Sequence, residues 1–152
     1  MKKTIFITGA AKRIGKEIAL CFSEMGWNII IHYNSSKNDA QVLSDEINGT
    51  NPDSAITVQG NLDVKEDVEK VINEVRDAFP TIDLLINNAS TFYPTPIEDI
   101  SEEHWDKLVG SNLKGPLFLI KGLKDKLKES KGSIINITDT NLSKGVANYS
   151  IY

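Results

Sequence analysis

Residues Thr4 to Gly15 read TIFITGAAKRIG, and the fold turns on how these twelve residues are read. Thr4 to Thr8 is a β-branched, apolar run with the composition of a strand, while from Ile14 onward the apolar residues recur at helical spacing. Between them lies a turn that carries Gly9 and Gly15. A tight strand-to-helix turn needs a residue without Cβ hindrance at Gly9, and Gly15 lets the helix pack closely on the strand. The helix N-terminus beyond the turn offers unpaired N–H groups and the positive end of a dipole, which together suit a pyrophosphate. Two glycines at such a turn also occur where nothing binds, so the turn alone leaves a purely structural role open.

Outward from this turn, short apolar runs alternate with longer stretches of helical period. Strands are expected at Thr4–Thr8, Asn28–Tyr33, Ala55–Gln59, Asp83–Asn87 and Ser133–Thr138. The unbroken triplet Ile29, Ile30, Ile31 indicates a strand buried on both faces, the habit of a parallel sheet under helices. Ile14, Ile18, Cys21, Phe22 and Met25 mark one amphipathic helix, with the lone Cys21 expected in its buried stripe. Val64, Val68, Val71, Ile72 and Val75 mark another, and Asp63 with Glu66 three residues on forms a capping-box pattern at its start. The alternation predicts an α/β fold: a Rossmann-like, doubly wound parallel sheet with helices on both faces and about five strands, in one domain over residues 1–152.

Composition narrows the function. Net charge is −4 over 152 residues, with both signs interspersed, so no basic field for nucleic acid or an anionic membrane is expected. The apolar run near the N-terminus is too short for a signal-peptide core or a membrane span. One cysteine makes neither a disulfide framework nor a cysteine zinc site, and a cytoplasmic protein is expected. His32 and His104 sit in no partner pattern and receive no chemical role.

The end of the second strand bears on the cofactor. An NAD-selective fold usually places a carboxylate there, about twenty residues after the glycine turn, for the ribose 2′-hydroxyl. This chain has Tyr33, Asn34, Ser35, Ser36 and Lys37 instead. Hydroxyls together with Lys37 and Arg13 can receive a 2′-phosphate, which favours NADPH over NADH; the alternative is that the serines merely begin a solvated helix. In the long helical segment Glu102 to Glu129, Pro116 lacks an N–H, so the carbonyl of Asn112 loses its intrahelical partner. Gly110 and Gly115 loosen the same turn, which reads as a local break able to hold a water or as a packing kink.

TGAAKRIG, LLINNAS (Leu84–Ser90), Asn112 and the strand GSIINIT followed by YSIY together resemble the short-chain dehydrogenase/reductase family along nearly the whole chain. Arg13 in place of a third glycine, Asp139 in place of the usual serine, and NNASTFYPTP place the resemblance nearest the pteridine reductases and related dihydromonapterin and dihydrofolate reductases. The resemblance implies NADPH-dependent hydride transfer to a pterin or dihydrofolate-type substrate, in a homo-oligomer (dimer or tetramer) when complete. It makes Tyr152 the catalytic tyrosine, thirteen positions after Asp139, with Tyr149 as the competing candidate. The family's lysine, four positions after the tyrosine, would then lie past Tyr152, and the chain is expected to be C-terminally incomplete. Asp139 is expected to share the proton transfer and Asn112 to hold a relay water. Gly9, Arg13, Ile14, Gly15, Asn61, Leu62, Asn88, Ala89 and Ser90 are expected around the cofactor with Tyr33, Asn34, Ser35 and Ser36, and Asn87 beside them. Asn61 stands where the family commonly has aspartate, as a weaker acceptor for the adenine amine. Phe92, Arg13 and Asp139 are expected to meet the pterin. Two other functions remain open: a carbonyl or 3-oxoacyl thioester reductase, for which a serine would be expected at 139, and a dinucleotide-binding module without activity.

Overall fold

The computed structural model describes residues 2–152. Its elements are β1 (Thr4–Ile7), α1 (Arg13–Glu24), β2 (Asn28–Tyr33), α2 (Lys37–Thr50), β3 (Ala55–Gln59), α3 (Lys65–Ala78), β4 (Leu84–Asn87), α4 (Glu102–Val109), α5 (Gly115–Ser130) and β5 (Ser133–Asn136). A 3-10 turn at Ile97–Asp99 precedes α4, a π-helical turn at Gly110–Lys114 joins α4 to α5, and a second 3-10 turn covers Thr140–Ser143. The five strands form one parallel sheet in the order β3-β2-β1-β4-β5. The expected doubly wound sheet is therefore present, and its strand order reverses between β1 and β4.

Side-chain alternation along the central strands builds two cores. Ile5, Ile7, Ile29 and Ile31 point to one face, where Ala19 of α1 and Leu43 of α2 cover them. Phe6, Ile30 and Leu85 point to the other, against Val71 of α3 and Leu119 and Leu123 of α5. This is why the isoleucine triplet is unbroken: each residue has a helix above or below it. Full burial of each such side chain contributes roughly 1.5–3 kcal/mol.

Two local expectations give way, in whole or in part, to packing. Of the expected stripe of α1, Ile18 and Phe22 pack against the core while Ile14, Cys21 and Met25 are exposed, and the residues the helix buries fully against the sheet are Gly15, Ala19 and Ser23. Small residues let the helix axis approach the strands, so Cys21 is a surface thiol. The capping box at Asp63 does not form either. Helix α3 starts at Lys65 with Val64 as its uncapped boundary residue, and it is Asp67 whose carboxylate reaches back, accepting the Asn61 N–H at 2.7 Å. Strand β5 is exposed along its length and pairs only with β4 among the described residues.

The long helical segment breaks where Pro116 predicted. The N–H of Gly115 bonds to the carbonyl of Gly110, five residues back, so the chain takes one wider turn before α5 begins. Such π-turns recur at functional sites because they insert a residue and free a backbone group.

Candidate functional site: a cleft at the topological switch point

At the reversal in strand order, the C-terminal ends of β1 and β4 open a crevice of the kind where α/β sheets bind ligands. Its floor is the glycine turn. Gly9 holds φ +62°, and a Cβ there would lie 3.0 Å from the Ala89 Cα. A Cβ on Gly15 would meet the Gly9 carbonyl oxygen at 2.5 Å and the Asn88 amide nitrogen at 2.7 Å. Both positions thus exclude a side chain, for the reasons the sequence suggested.

The turn is fixed by residues from two neighbouring strands. The Thr8 hydroxyl accepts the N–H groups of Asn88 and Ala89, each at 2.9 Å, and the Asn88 side chain donates to the carbonyls of Thr8 and Gly9 at 2.9 and 3.1 Å. His32, fully buried, accepts the Gly9 N–H on Nδ1 at 3.1 Å, and its Nε2 donates to the Gly60 carbonyl at 3.0 Å. Burial pushes the His32 pKa down to about 4, against the raising effect of the Gly60 bond, so the ring is neutral at pH 7. Thr8 and His32 were assigned no role from sequence. A threonine at a strand end and a histidine inside a strand declare their partners only once the strands are placed side by side.

Arg13 opens α1 at φ +53°, the left-handed region that favours glycine. Its side chain lines a cavity of about 420 Å³ together with Lys12, Ile14, Asn34, Leu62 and Ser90. Gly9, Gly15, Asn61, Asn88 and Ala89 complete the expected cofactor wall. No side chain caps the start of α1, which leaves its first N–H groups available to an anion. Three residues expected around the cofactor stand outside the lining of this cavity. Tyr33 is buried in the core, and Ser35 and Ser36 do not line this cavity although they follow Asn34 at its edge. The strand-end alternation turns Tyr33 inward as it turns Asn34 out.

At the far wall, the Asn61 side-chain oxygen accepts the Asp63 N–H at 3.2 Å, with one lone pair still free for another donor. Asp63, expected from sequence only as a helix cap, lines the cavity with a buried Oδ1 that has no partner among the described residues. Burial raises its pKa, opposed by the Asn61 hydrogen bond and the Lys107 charge.

A second cavity, of about 550 Å³, shares Ala89 and Ser90 with the first, so the two form one cleft. Asn112, Asp139 and Tyr152 all line it, with Leu117 and Ile137 as apolar wall. Asn112 clamps the Thr91 peptide on both sides: its Nδ2 donates to the carbonyl at 2.8 Å and its Oδ1 accepts the N–H at 2.9 Å. One Asp139 oxygen accepts the Asn141 N–H at 2.7 Å, an Asx-type turn, and among the described residues the second oxygen has no hydrogen-bond partner. Phe92, half exposed, stacks on Tyr149 with centroids 4.4 Å apart and meets Tyr152 edge to face at 4.6 Å. The tyrosines are held there by a short bridge, in which the Thr95 N–H donates to the Asn148 carbonyl at 2.6 Å and the Ser150 N–H to the Thr95 carbonyl at 3.2 Å. Asn87 lines the same cavity and also donates to the Asn136 side chain of β5 at 2.8 Å.

A parallel, doubly wound sheet with a glycine turn at its switch point is the architecture of dinucleotide-binding α/β proteins, and here it opens beside a largely apolar pocket that carries Asp139 and Tyr152. The family model of short chain dehydrogenases matches residues 3–152, and the chain belongs to that family. It is 33% identical over 139 residues to the 3-oxoacyl-(acyl-carrier-protein) reductase FabG of Staphylococcus epidermidis, covering 91% of this chain and 57% of the relative. It is 33% identical over 136 residues to the NAD-dependent glycerol dehydrogenase of Listeria innocua, covering 89% and 52%. Pteridine reductase 1 of Leishmania tarentolae is 31% identical over 186 aligned positions, covering 96% and 64%. The chain thus spans between half and two thirds of the length of these relatives. Among the described residues no helix is long and apolar enough to cross a membrane.

Proposed function

We propose that the protein is an NADPH-dependent reductase of a pterin or dihydrofolate-type substrate. The observation that carries this reading is Arg13: a charged residue held at φ +53°, where glycine would sit without strain, with its side chain in the cleft. Non-glycine residues in this region cost on the order of 1–2 kcal/mol and concentrate at functional sites. A guanidinium there suits both a pyrophosphate and a polar, aminated ring. The similarity to pteridine reductase 1 supports the same reading.

The cleft fits the cofactor through its glycine-floored turn, the uncapped α1 N-terminus and the lone pair left on Asn61. A bound NADPH would supply the hydride. This chain's residues would do the rest. Gly9, Gly15 and the α1 N–H groups would bind the pyrophosphate, with Asn61 and Leu62 at the adenine and Asn88, Ala89 and Ser90 along the nicotinamide half. Asn34, with Ser35, Ser36 and Lys37 beside it, would face the 2′-phosphate. Phe92 would offer its ring to a flat substrate, while Tyr152, with Asp139 lining the same pocket, would deliver the proton from its phenol. Asn112 would set the Thr91–Phe92 loop and its π-turn would host a relay water.

A second reading, reduction of a 3-oxoacyl thioester, is favoured by the similarity to FabG. Parallel assays of the whole protein with NADPH and either dihydrobiopterin or an acetoacetyl thioester separate the two. Turnover of the pterin alone supports the proposal; turnover of the thioester alone replaces it, and activity with neither, despite NADPH binding, leaves a binding module. The whole protein is also proposed to be a cytoplasmic homo-oligomer, with sedimentation velocity as the check.

A further inference from the structure

The Lys12 ammonium stands 3.0 Å from the Asp39 carboxylate, and Lys12 is also part of the cofactor cavity wall. Beside that wall a smaller cavity of about 320 Å³ opens between the glycine turn and the start of α2. Lys12, Arg13 and Lys16 line it, and Asp39 is its one carboxylate. Lys16 is paired with Glu46 at 3.6 Å, outside the cavity lining, so the charge that Asp39 governs is that of Lys12. Asn34, at the end of β2, marks the neighbouring edge of the larger cavity.

These positions put a cation and its counter-ion at the place where β2, α2 and the glycine turn converge. An exposed ion pair of this kind is weak, because both side chains are about half exposed and solvent screens them. Lys12 can therefore exchange partners at small cost. A phosphate dianion arriving beside Lys12 would compete with the Asp39 carboxylate for the same ammonium and would be repelled by it across a few ångströms.

We propose that Asp39 moderates the affinity of this site for a 2′-phosphate by holding Lys12 as its counter-ion. The inference rests on the NADPH reading given above. Asp39 acts here as a positioning residue, through Lys12 and not by contact with the cofactor. The device limits how tightly the phosphorylated cofactor is held without touching the ribose, adenine or pyrophosphate sites.

The test is a titration of NADPH and NADH into the protein and its Asp39→Asn and Lys12→Ala variants, followed by nicotinamide fluorescence at low and high salt. Asp39→Asn is expected to tighten NADPH roughly two- to fivefold, leave NADH unchanged, and lose its advantage as salt rises. In Lys12→Ala, a further Asp39→Asn change is expected to yield a smaller gain, because the competition has been removed. A general structural role for Asp39 would move both cofactors together. An Asp39→Asn variant that binds NADPH no better than the parent, while Lys12→Ala binds it worse, overturns the proposal and leaves the NADPH reading standing. Equal affinities for NADPH and NADH in the parent, unmoved by Lys12→Ala, overturn both.

Discussion

The imidazole of His32 holds the backbone of Gly9: Nδ1 accepts the Gly9 N–H at 3.1 Å while the opposite nitrogen is bound to the Gly60 carbonyl. The acceptor role requires a neutral ring with its proton on Nε2. A charged ring would present a donor to a donor, inside the core. The glycine turn therefore carries a titratable strut.

Stability should accordingly depend on pH in a defined window. His32 has a folded pKa of about 4, below the ordinary value of 6.5, so between these values the unfolded chain binds more protons and folding weakens as pH falls. Its contribution is unimpaired above pH 6.5 and the loss is complete below about 4, amounting to roughly 3 kcal/mol. Urea midpoints measured at pH 7 and pH 4.5 should show this slope in the parent and a flatter one in His32→Gln. Parallel slopes in the two proteins would remove the strut from the account.

Thr8→Val keeps the shape of the side chain but deletes the acceptor shared by the Asn88 and Ala89 N–H groups. Each unsatisfied donor costs about 1–3 kcal/mol, so a total loss of about 2–6 kcal/mol is expected. Chemical denaturation reads it directly. A loss under about 0.5 kcal/mol would mean that water replaces the hydroxyl.

Arg13→Gly separates fold from function. Relief of left-handed strain, about 1 kcal/mol, is nearly cancelled by the extra backbone entropy of glycine, about 0.5–1 kcal/mol, so the melting temperature should hardly move. Loss of a charge-assisted contact should raise KM for the pterin about tenfold or more. An unchanged KM would make Arg13 a surface charge.

Asp139→Ser should remove most pterin turnover in the whole protein while leaving NADPH affinity nearly unchanged, because the residue lies in the distal half of the cleft. Serine retains the turn bond to the Asn141 N–H, so the loop should survive. A pterin rate equal to the parent's would reduce Asp139 to that turn.

The sheet was legible because its signals are local. Ile29 to Ile31 announce a two-sided strand, and Pro116 announces the break that follows Val109. The face of α1 was legible only in part: Ile18 and Phe22 pack on the core as expected, but the centre of the buried face goes to Gly15, Ala19 and Ser23, because only small residues allow the required closeness to the strands. The capping pattern at Asp63 failed because the Asp63 N–H, which Glu66 was to accept, is donated to the Asn61 side chain. In the cleft, residues that contribute through their place in the turn were visible beforehand. Thr8 and His32, which act by bonding to strands more than twenty residues away, were not.

The burial of β1 has a dynamic consequence. Strand β1 has a hydrogen-bonded neighbour on each side and helices over both faces. Amide protons of Ile5 to Ile7 should then be among the slowest in the sheet to exchange with deuterium. The floor of the cleft around Gly9 stands at the end of that strand, so a bound ligand should be read as slowed exchange in the Thr91–Tyr93 loop far more than in β1.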